Sequence, residues 1–236
     1  MEKRKLLCEG RTKCLYATDR EDYLIQKFKD EVPNTREENR TAIAGKGEIN
    51  NGIAGFLFRY LESHHVPTHF IEHYGPAEMI VRKLTMIPLE VVLHNMATAK
   101  LAKTFALAEG TTLTYPILEY YLKNNALGSP MVNEYHALAL GYAQPEEMRT
   151  ISRLASKANA ILKSFFDRRG FALMSFHIEF GKQGEQIYIG DEISLDTCCF
   201  WDKRVNRRLD MDRKGHDPAE IVESYREVYS RLTNSF

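Results

Sequence analysis

Glu179 and Asp191 are the residues whose types and spacing point most directly to chemistry. They lie in the stretch FALMSFHIEFGKQGEQIYIGDEISLD, Phe171 to Asp196. The pattern predicts a β-hairpin. Ala172, Met174, Phe176, Ile178 and Phe180 alternate onto one face, and Ser175, His177 and Glu179 fall on the other. Gly181 to Glu185 supplies the turn, and Gln186 to Gly190 the return strand, which ends in Gly190-Asp191-Glu192. Carboxylates on the polar face of an apolar hairpin are costly to bury unless a positive charge meets them. A hard divalent cation carrying a nucleotide's phosphates meets that need, because Mg²⁺ is usually held by one or two carboxylates together with phosphate oxygens. A solvated edge hairpin is the alternative that the same residues allow.

Cations near glycine turns are the natural counterparts. Gly10-Arg11-Thr12-Lys13 is a glycine turn between β-like segments, followed by two cations. Such a turn lets backbone approach phosphates while the cations neutralise them. It is not a Walker loop, and a lysine in a hairpin turn is often simply solvated. Gly45-Lys46-Gly47 either receives an anion at a helix N-terminus or merely starts the helix. Lys123 follows the aromatic strand Tyr120-Tyr121-Leu122; read alone, it is a surface lysine. His64, His65, His69 and His73 cluster in sequence, but without Cys or acidic partners at ligand spacing. No G-x-S-x-G elbow supports a serine nucleophile.

The elements that must position these residues follow from pattern and composition. The chain has 236 residues, 44% of them hydrophobic, enough for a sizeable core. Lys+Arg and Asp+Glu both number 32, so no basic excess points to nucleic acid or an anionic membrane. No apolar run is long enough to span a bilayer, and the N-terminus has no signal-like apolar region. Cys8, Cys14, Cys198 and Cys199 include no CxxC pair and read as reduced cytosolic thiols. Strands are expected over Lys5 to Glu9, Cys14 to Thr18, Tyr23 to Phe28, Pro67 to Glu72 and Glu78 to Leu84. A mobile polar loop is expected from Lys29 to Thr41, and a helix carrying Ile49, Ile53, Phe56, Leu57, Tyr60 and Leu61 after it. Thr85-Met86-Ile87-Pro88 reads as a connector between halves. The second half mixes strands (Leu89 to Leu93, Leu118 to Leu122) with helices over Pro145 to Arg169 and Pro218 to Leu232. Strands and helices without regular βα pairing predict an α+β or mixed α/β fold.

In this order the pieces resemble the phosphoribosylaminoimidazole-succinocarboxamide synthases (SAICAR synthetases) of purine biosynthesis. The resemblance covers nearly the whole chain, through EGRTKCLY, the FKD at Phe28 to Asp30, GKGEINN, VRKLTMIPLEVVLHN, PILEYYLKNNALGSPMVNE, HIEFG and GDEISLDTCCFWD. It implies a two-lobed fold with antiparallel sheets and an ATP cleft. The smaller nucleotide lobe would be residues 1–84, and the larger lobe, residues 85–236, would hold the metal and acceptor site. It also implies an ATP-dependent carboxylate–amine ligase using Mg²⁺: ATP phosphorylates a carboxylate, and the amine of aspartate attacks the acyl phosphate. Phosphorylation turns a poor electrophile into a good one, and the protein aligns the three reactants. By resemblance, Arg11 and Lys13 face phosphate, Met86 receives the adenine, Lys123 serves the nucleotide, and Glu179 and Asp191 bind the metal. Lys13, Glu179 and Asp191 are the expected catalytic set. A cytoplasmic homodimer or larger oligomer acting on small molecules is implied.

The acceptor half departs from the family. Its Arg-Asn-x-Ala-Ala-Gly-Ser is here His94-Asn95-Met96-Ala97-Thr98-Ala99-Lys100, and its Asp-Phe-Lys-x-Glu-Phe-Gly is Ser175-Phe176-His177-Ile178-Glu179-Phe180-Gly181. Its Ser-Pro-Asp is Ser194-Leu195-Asp196; expected arginines fall at Cys199 and, near Asp212, at Gly215. In the family these positions serve the ribotide and its carboxylate. Cysteine, glycine or neutral histidine cannot reproduce a bidentate arginine grip. The expectation is therefore a ligase with an altered acceptor, for specialised biosynthesis, with His94, Lys100, Ser175, His177, Asp196 and Cys199 lining the acceptor site. Lys100, Arg204, Arg207, Arg208 and Arg213 are available to compensate. The alternatives are an ordinary SAICAR synthetase and a non-catalytic nucleotide-binding relative.

Overall fold

The computed structural model describes residues 1–31, 42–209 and 218–233. Most of the loop expected from Lys29 to Thr41 lies outside the described residues, as do Asp212, Arg213 and Gly215.

Strands β1 (Lys3–Glu9), β2 (Lys13–Thr18) and β3 (Tyr23–Phe28) form a meander, followed by helix α1 (Lys46–Ser63) and strands β4 (Phe70–Gly75) and β5 (Glu78–Arg82). These strands make one antiparallel sheet of order β1-β2-β3-β5-β4. At the start of α1, the Asp30 carboxylate accepts from the amides of Gly45 (3.3 Å) and Gly47 (2.8 Å). The orphan donors of the helix N-terminus are thus met by the chain's own anion. Ile49, Ile53, Leu57 and Leu61 form the expected buried stripe.

The second sheet contains β6 (Thr85–Met96), β7 (Thr112–Leu122), β8 (Met131–Val132), β9 (Phe171–Gln183), β10 (Gln186–Gly190), β11 (Cys198–Asp202) and β12 (Arg207–Leu209). Its order is β12-β11-β9-β6-β7-β8, with β10 also pairing with β9. Helices α2 (Ala99–Phe105), α3 (Glu134–Ala139), α4 (Pro145–Asp167) and α5 (Pro218–Thr233) complete the mixed α+β architecture. Pro145 opens α4, and the Glu147 side chain accepts from the Gln144 amide at 2.8 Å. The stripe Met148, Ile151, Leu154, Ala155, Ala158, Leu162 and Phe165 is buried and packs on the apolar face of the central strands. That face is Leu89, Val91 and Leu93 of β6 with Phe176, Ile178 and Phe180 of β9. Each such side chain contributes about 1.5–3 kcal/mol when fully buried. Helix α5 returns to pack on α1. No helix among the described residues is long and apolar enough to cross a membrane.

Three local expectations are corrected. Thr85 and Met86 are not a free connector; they pair with Lys182 and Gly181 as the start of β6, and the ladder is interrupted between Met86 and Glu90, where Pro88 has no donor to give. The hairpin turn is tighter than expected, because β9 runs on to Gln183 and Gly184, with φ of 59°, turns the chain with Glu185. Strict alternation holds from Ser175 to Phe180 but then reverses, so that Phe171 and Leu173, rather than Ala172 and Met174, join the main core. The reversal lies opposite a register irregularity at Cys199/Phe200.

The two sheets meet along β10. The Ile189 amide donates to the Pro67 carbonyl at 3.0 Å, and the His69 amide donates to the Ile189 carbonyl at 2.9 Å. β10 therefore delivers Asp191 to the seam.

One polar pair interrupts the apolar layer under α4. The buried side chains of Asn95 on β6 and Asn159 on α4 exchange hydrogen bonds of 2.8 and 2.9 Å. Asn159→Leu strands the Asn95 amide and is expected to lower unfolding free energy by about 1–3 kcal/mol. The double variant N95L/N159L should recover part of that loss. Chemical denaturation checks both, and an additive double variant would show that the two amides are not coupled.

Candidate active site

The face of the second sheet opposite α4 carries the chemistry. Cross-strand register sets the residues in rows. Tyr121 of β7 stands opposite Glu90 of β6, which stands opposite Glu179 of β9. The next row is Glu119, Val92 and His177, and the next is Ile117, His94, Ser175 and Cys199. Period-two alternation puts apolar residues against α4 and these largely polar ones on the other side.

Two ammonium–carboxylate groupings lie at the β10 end. Lys13, the first residue of β2, places Nζ 2.7 Å from Asp191 Oδ2 and 2.8 Å from Glu192 Oε1. Glu192 also accepts from Thr12 Oγ1 at 2.9 Å and Ser194 Oγ at 2.5 Å. Lys123, just past β7, pairs with Glu179. Met86 lies over the glycines beside them; a Cβ at Gly190 would sit 3.3 Å from Met86 Cε, and one at Gly181 2.9 Å from its Sδ. Lys13, Met86, Lys123, Glu179 and Asp191 are thus brought to one region, with Arg11 exposed in the adjoining turn. His69 is buried beside Asp191, and burial pushes its imidazole down to about 4, so it is neutral.

The electrostatics divide the two acids. Burial raises Asp191, but the Lys13 ammonium outweighs it and holds the carboxyl below its usual range. Glu179 is pushed up to about 7, first by burial and then by the charge of Asp191, against the pull of Lys123. A divalent cation would relieve that repulsion. Carboxylate oxygens are the hard donors Mg²⁺ prefers, and among the described residues no cluster of three or more His, Cys, Asp or Glu forms an all-protein cage. Two acids flanked by ammonium groups suit a cation that takes its remaining ligands from phosphate and water.

The residues expected to line the acceptor site divide. Ser175, His177, Asp196 and Cys199 line a pocket of about 200 Å³, together with Val92 and Arg208. His94, buried, bonds Glu119 Oε2 through Nε2 at 3.3 Å; Tyr121 donates to the same oxygen at 2.6 Å, and Lys100 donates to the Tyr121 hydroxyl at 3.1 Å. Asp196 lines the pocket, yet its carboxylate is met by the protein: Lys46 and Asn50 (3.0 Å) donate to Oδ2, and Tyr225 donates to Oδ1 at 2.7 Å. Lys46 is 0% exposed, so its role is this ion pair rather than reception of a foreign anion at the start of α1. Sequence reasoning missed Glu192, Glu119 and Tyr121. Signals existed for each: Glu192 adjoins Asp191, and Glu119 and Tyr121 alternate with Lys123 onto its face.

With the geometry in place, the comparisons with known proteins are specific. A family model described as SAICAR synthetase matches residues 6–232. The chain is 45% identical over 232 residues, 98% of each chain, to the phosphoribosylaminoimidazole-succinocarboxamide synthase of Desulfitobacterium hafniense (strain DSM 10664 / DCB-2). It is 41% identical to that of Caldanaerobacter subterraneus subsp. tengcongensis, covering 98% of this chain and 99% of the relative. The structure of the enzyme from Ehrlichia chaffeensis matches with a TM-score of 0.91 at 38% identity, over 98% of this chain and 99% of that one. A SAICAR synthetase solved in complex with ADP matches with a TM-score of 0.91 at 40% identity, over 98% of both chains. The chain belongs to the SAICAR synthetase family and is an ATP-dependent, amide-forming ligase.

Proposed function

We propose that this chain joins the amine of aspartate to the carboxylate of the carboxyaminoimidazole ribotide. The carboxylate attacks the γ-phosphorus of ATP, forming an acyl phosphate and releasing ADP. The aspartate amine then attacks the acyl carbon; the C–N bond forms, the C–O bond to phosphate breaks, and the amine loses its proton. The observation that carries the reading is the pairing of Lys13 with Asp191 and of Lys123 with Glu179 beside the pocket lined by Ser175 and His177. The lysines neutralise phosphate oxygens, and Asp191 and Glu179 hold Mg²⁺, which lowers the charge barrier between carboxylate and phosphate. The nucleotide lies at the seam between a lobe of residues 1–84 and one of residues 85–236, with Met86 against the adenine and Arg11 toward the phosphates. The expectation of an altered acceptor gains no support from the relatives, which carry the ordinary name at up to 45% identity across nearly their whole length.

One observation favours a second reading, in which the activated carboxylate differs. His94, Ser175 and Cys199, all replaced relative to the family motifs, are cross-strand neighbours in a single row. A cluster of replacements at one contact surface is what a changed substrate group would select.

Mg-ATP, aspartate and the ribotide should together give ADP and the succinocarboxamide, followed by coupled ADP assay and mass spectrometry. ADP release only with other carboxylates would favour the second reading. Asp191→Asn should abolish ADP formation with any acceptor, since it removes an anionic ligand opposite Lys13; near-normal turnover would sink the assignment of Asp191. Affinity for Mg²⁺ in the presence of ADP should also depend on pH. A carboxyl raised to about 7 is protonated below that pH, so the cation must displace a proton there. Affinity should rise by up to about tenfold between pH 6 and pH 8 and then level off. Calorimetry on wild type and Glu179→Gln checks this, the variant giving a flat profile.

A further inference from the structure

Asp191 has a backbone φ of 62°, left-handed, and is followed at once by the buried Glu192. Residues with a Cβ rarely adopt this conformation; Asp and Asn do so more readily than most. It needs support from its surroundings, and the described contacts provide it at one atom group, the Asp191 backbone carbonyl. Gln26, in the middle of β3 and 1% exposed, donates from Nε2 to that carbonyl at 3.1 Å. The ring of His69, 4% exposed, is buried nearby, and its Nε2 has no hydrogen-bond partner among the described residues. His69 is itself fastened, with its amide on the Ile189 carbonyl at 2.9 Å and its carbonyl accepting from the Arg82 amide at 2.7 Å. Its ring stands edge-on to Phe58, with centroids 5.2 Å apart. A glutamine buried in apolar surroundings must spend its hydrogen bonds somewhere. Here it spends one on the residue held left-handed.

We infer that Gln26 is a positioning residue: by holding the Asp191 carbonyl it fixes the left-handed turn that presents the Asp191 carboxylate, already aimed, to Lys13 and to the cation of the bound nucleotide. The inference rests on the reading of Asp191 as a metal acid. Lys13 grips the carboxylate from one side, while Gln26 grips the backbone behind it. The first sheet therefore supplies both the counter-charge and the clamp for an acid carried by the second. Gln26 is itself 1% exposed and acts through Asp191.

The test measures Mn²⁺ affinity of the protein–ADP complex by electron paramagnetic resonance, and ADP affinity without metal by calorimetry. Gln26→Met keeps the volume and removes the donor. It should weaken Mn²⁺ binding by about tenfold, as loss of an outer-shell partner typically does, and leave metal-free ADP affinity within about twofold. Gln26→Leu, which also lacks the donor, should act in the same direction. If Gln26→Met and Gln26→Leu lower the melting temperature while Mn²⁺ affinity stays at the wild-type value, the clamp is merely structural and the inference falls. Asp191→Asn separates the two levels. If it weakens Mn²⁺ binding while both Gln26 variants leave it unchanged, the inference alone is overturned. If Asp191→Asn also leaves it unchanged, the reading of Asp191 as a metal acid is overturned with it.

Discussion

The Lys13 ammonium is the interaction on which the rest of the site depends. It comes from the first sheet and meets Asp191 and Glu192, which belong to the second. Burial alone would lower the Lys13 pKa, but the two carboxylates outweigh it and keep the ammonium charged. Taking three charges from water is costly, and the cost is offset only because the geometry is good and the remaining oxygens are bonded. Thr12 and Ser194 complete Glu192, and Gln26 occupies the Asp191 carbonyl. Without Lys13, two adjacent carboxylates would face each other in a poorly solvated seam. The contact between the sheets and the assembly of the site are therefore one event.

Around that seam the second sheet divides its labour by face. One face is apolar and spent on α4, which anchors β6 and β9 rigidly. The other carries Glu179, His177, Ser175, His94 and Glu119 in adjoining rows. Groups on neighbouring strands are spaced by the ladder, so a substrate bridging the rows meets side chains whose positions the apolar face has already set. The raised pKa of Glu179 belongs to the same arrangement: a buried acid near another acid is expensive as an anion until a cation arrives.

The side expected to take the acceptor is built differently. Glu119 links His94 to Tyr121, and Lys100 joins through the tyrosine hydroxyl, so the lysine that stands in the place of the family's turn serine is tied to this chain's own residues. Asp196 is consumed by Lys46, Asn50 and Tyr225, which tie α1 and α5 to the rim of the pocket. Arg208 reaches the same pocket from β12 and pairs with Glu109 at 2.8 Å. It stands near Cys199, where the family pattern carries an arginine, and is the guanidinium that the described residues bring to that side.

Sequence alone determined the strands and helices with strong periodicity, the polar face bearing Ser175, His177 and Glu179, and, through resemblance, the family. Those follow from local period and from motif order, which need no knowledge of the fold. It misjudged Thr85 to Pro88, because a proline before a strand reads as a break unless the partner strand is known, and it misjudged the parity of Ala172 and Met174, because a bulge across the ladder leaves no mark on the strand itself. Only the tertiary structure decided that Lys13 meets Asp191, 178 positions away, that Lys46 is buried against Asp196, and that Gln26 supports Asp191. The reason is physical: what a buried charge or amide does depends on which partner the packing brings within hydrogen-bond reach, and that partner lies on another sheet, beyond the range of any local pattern.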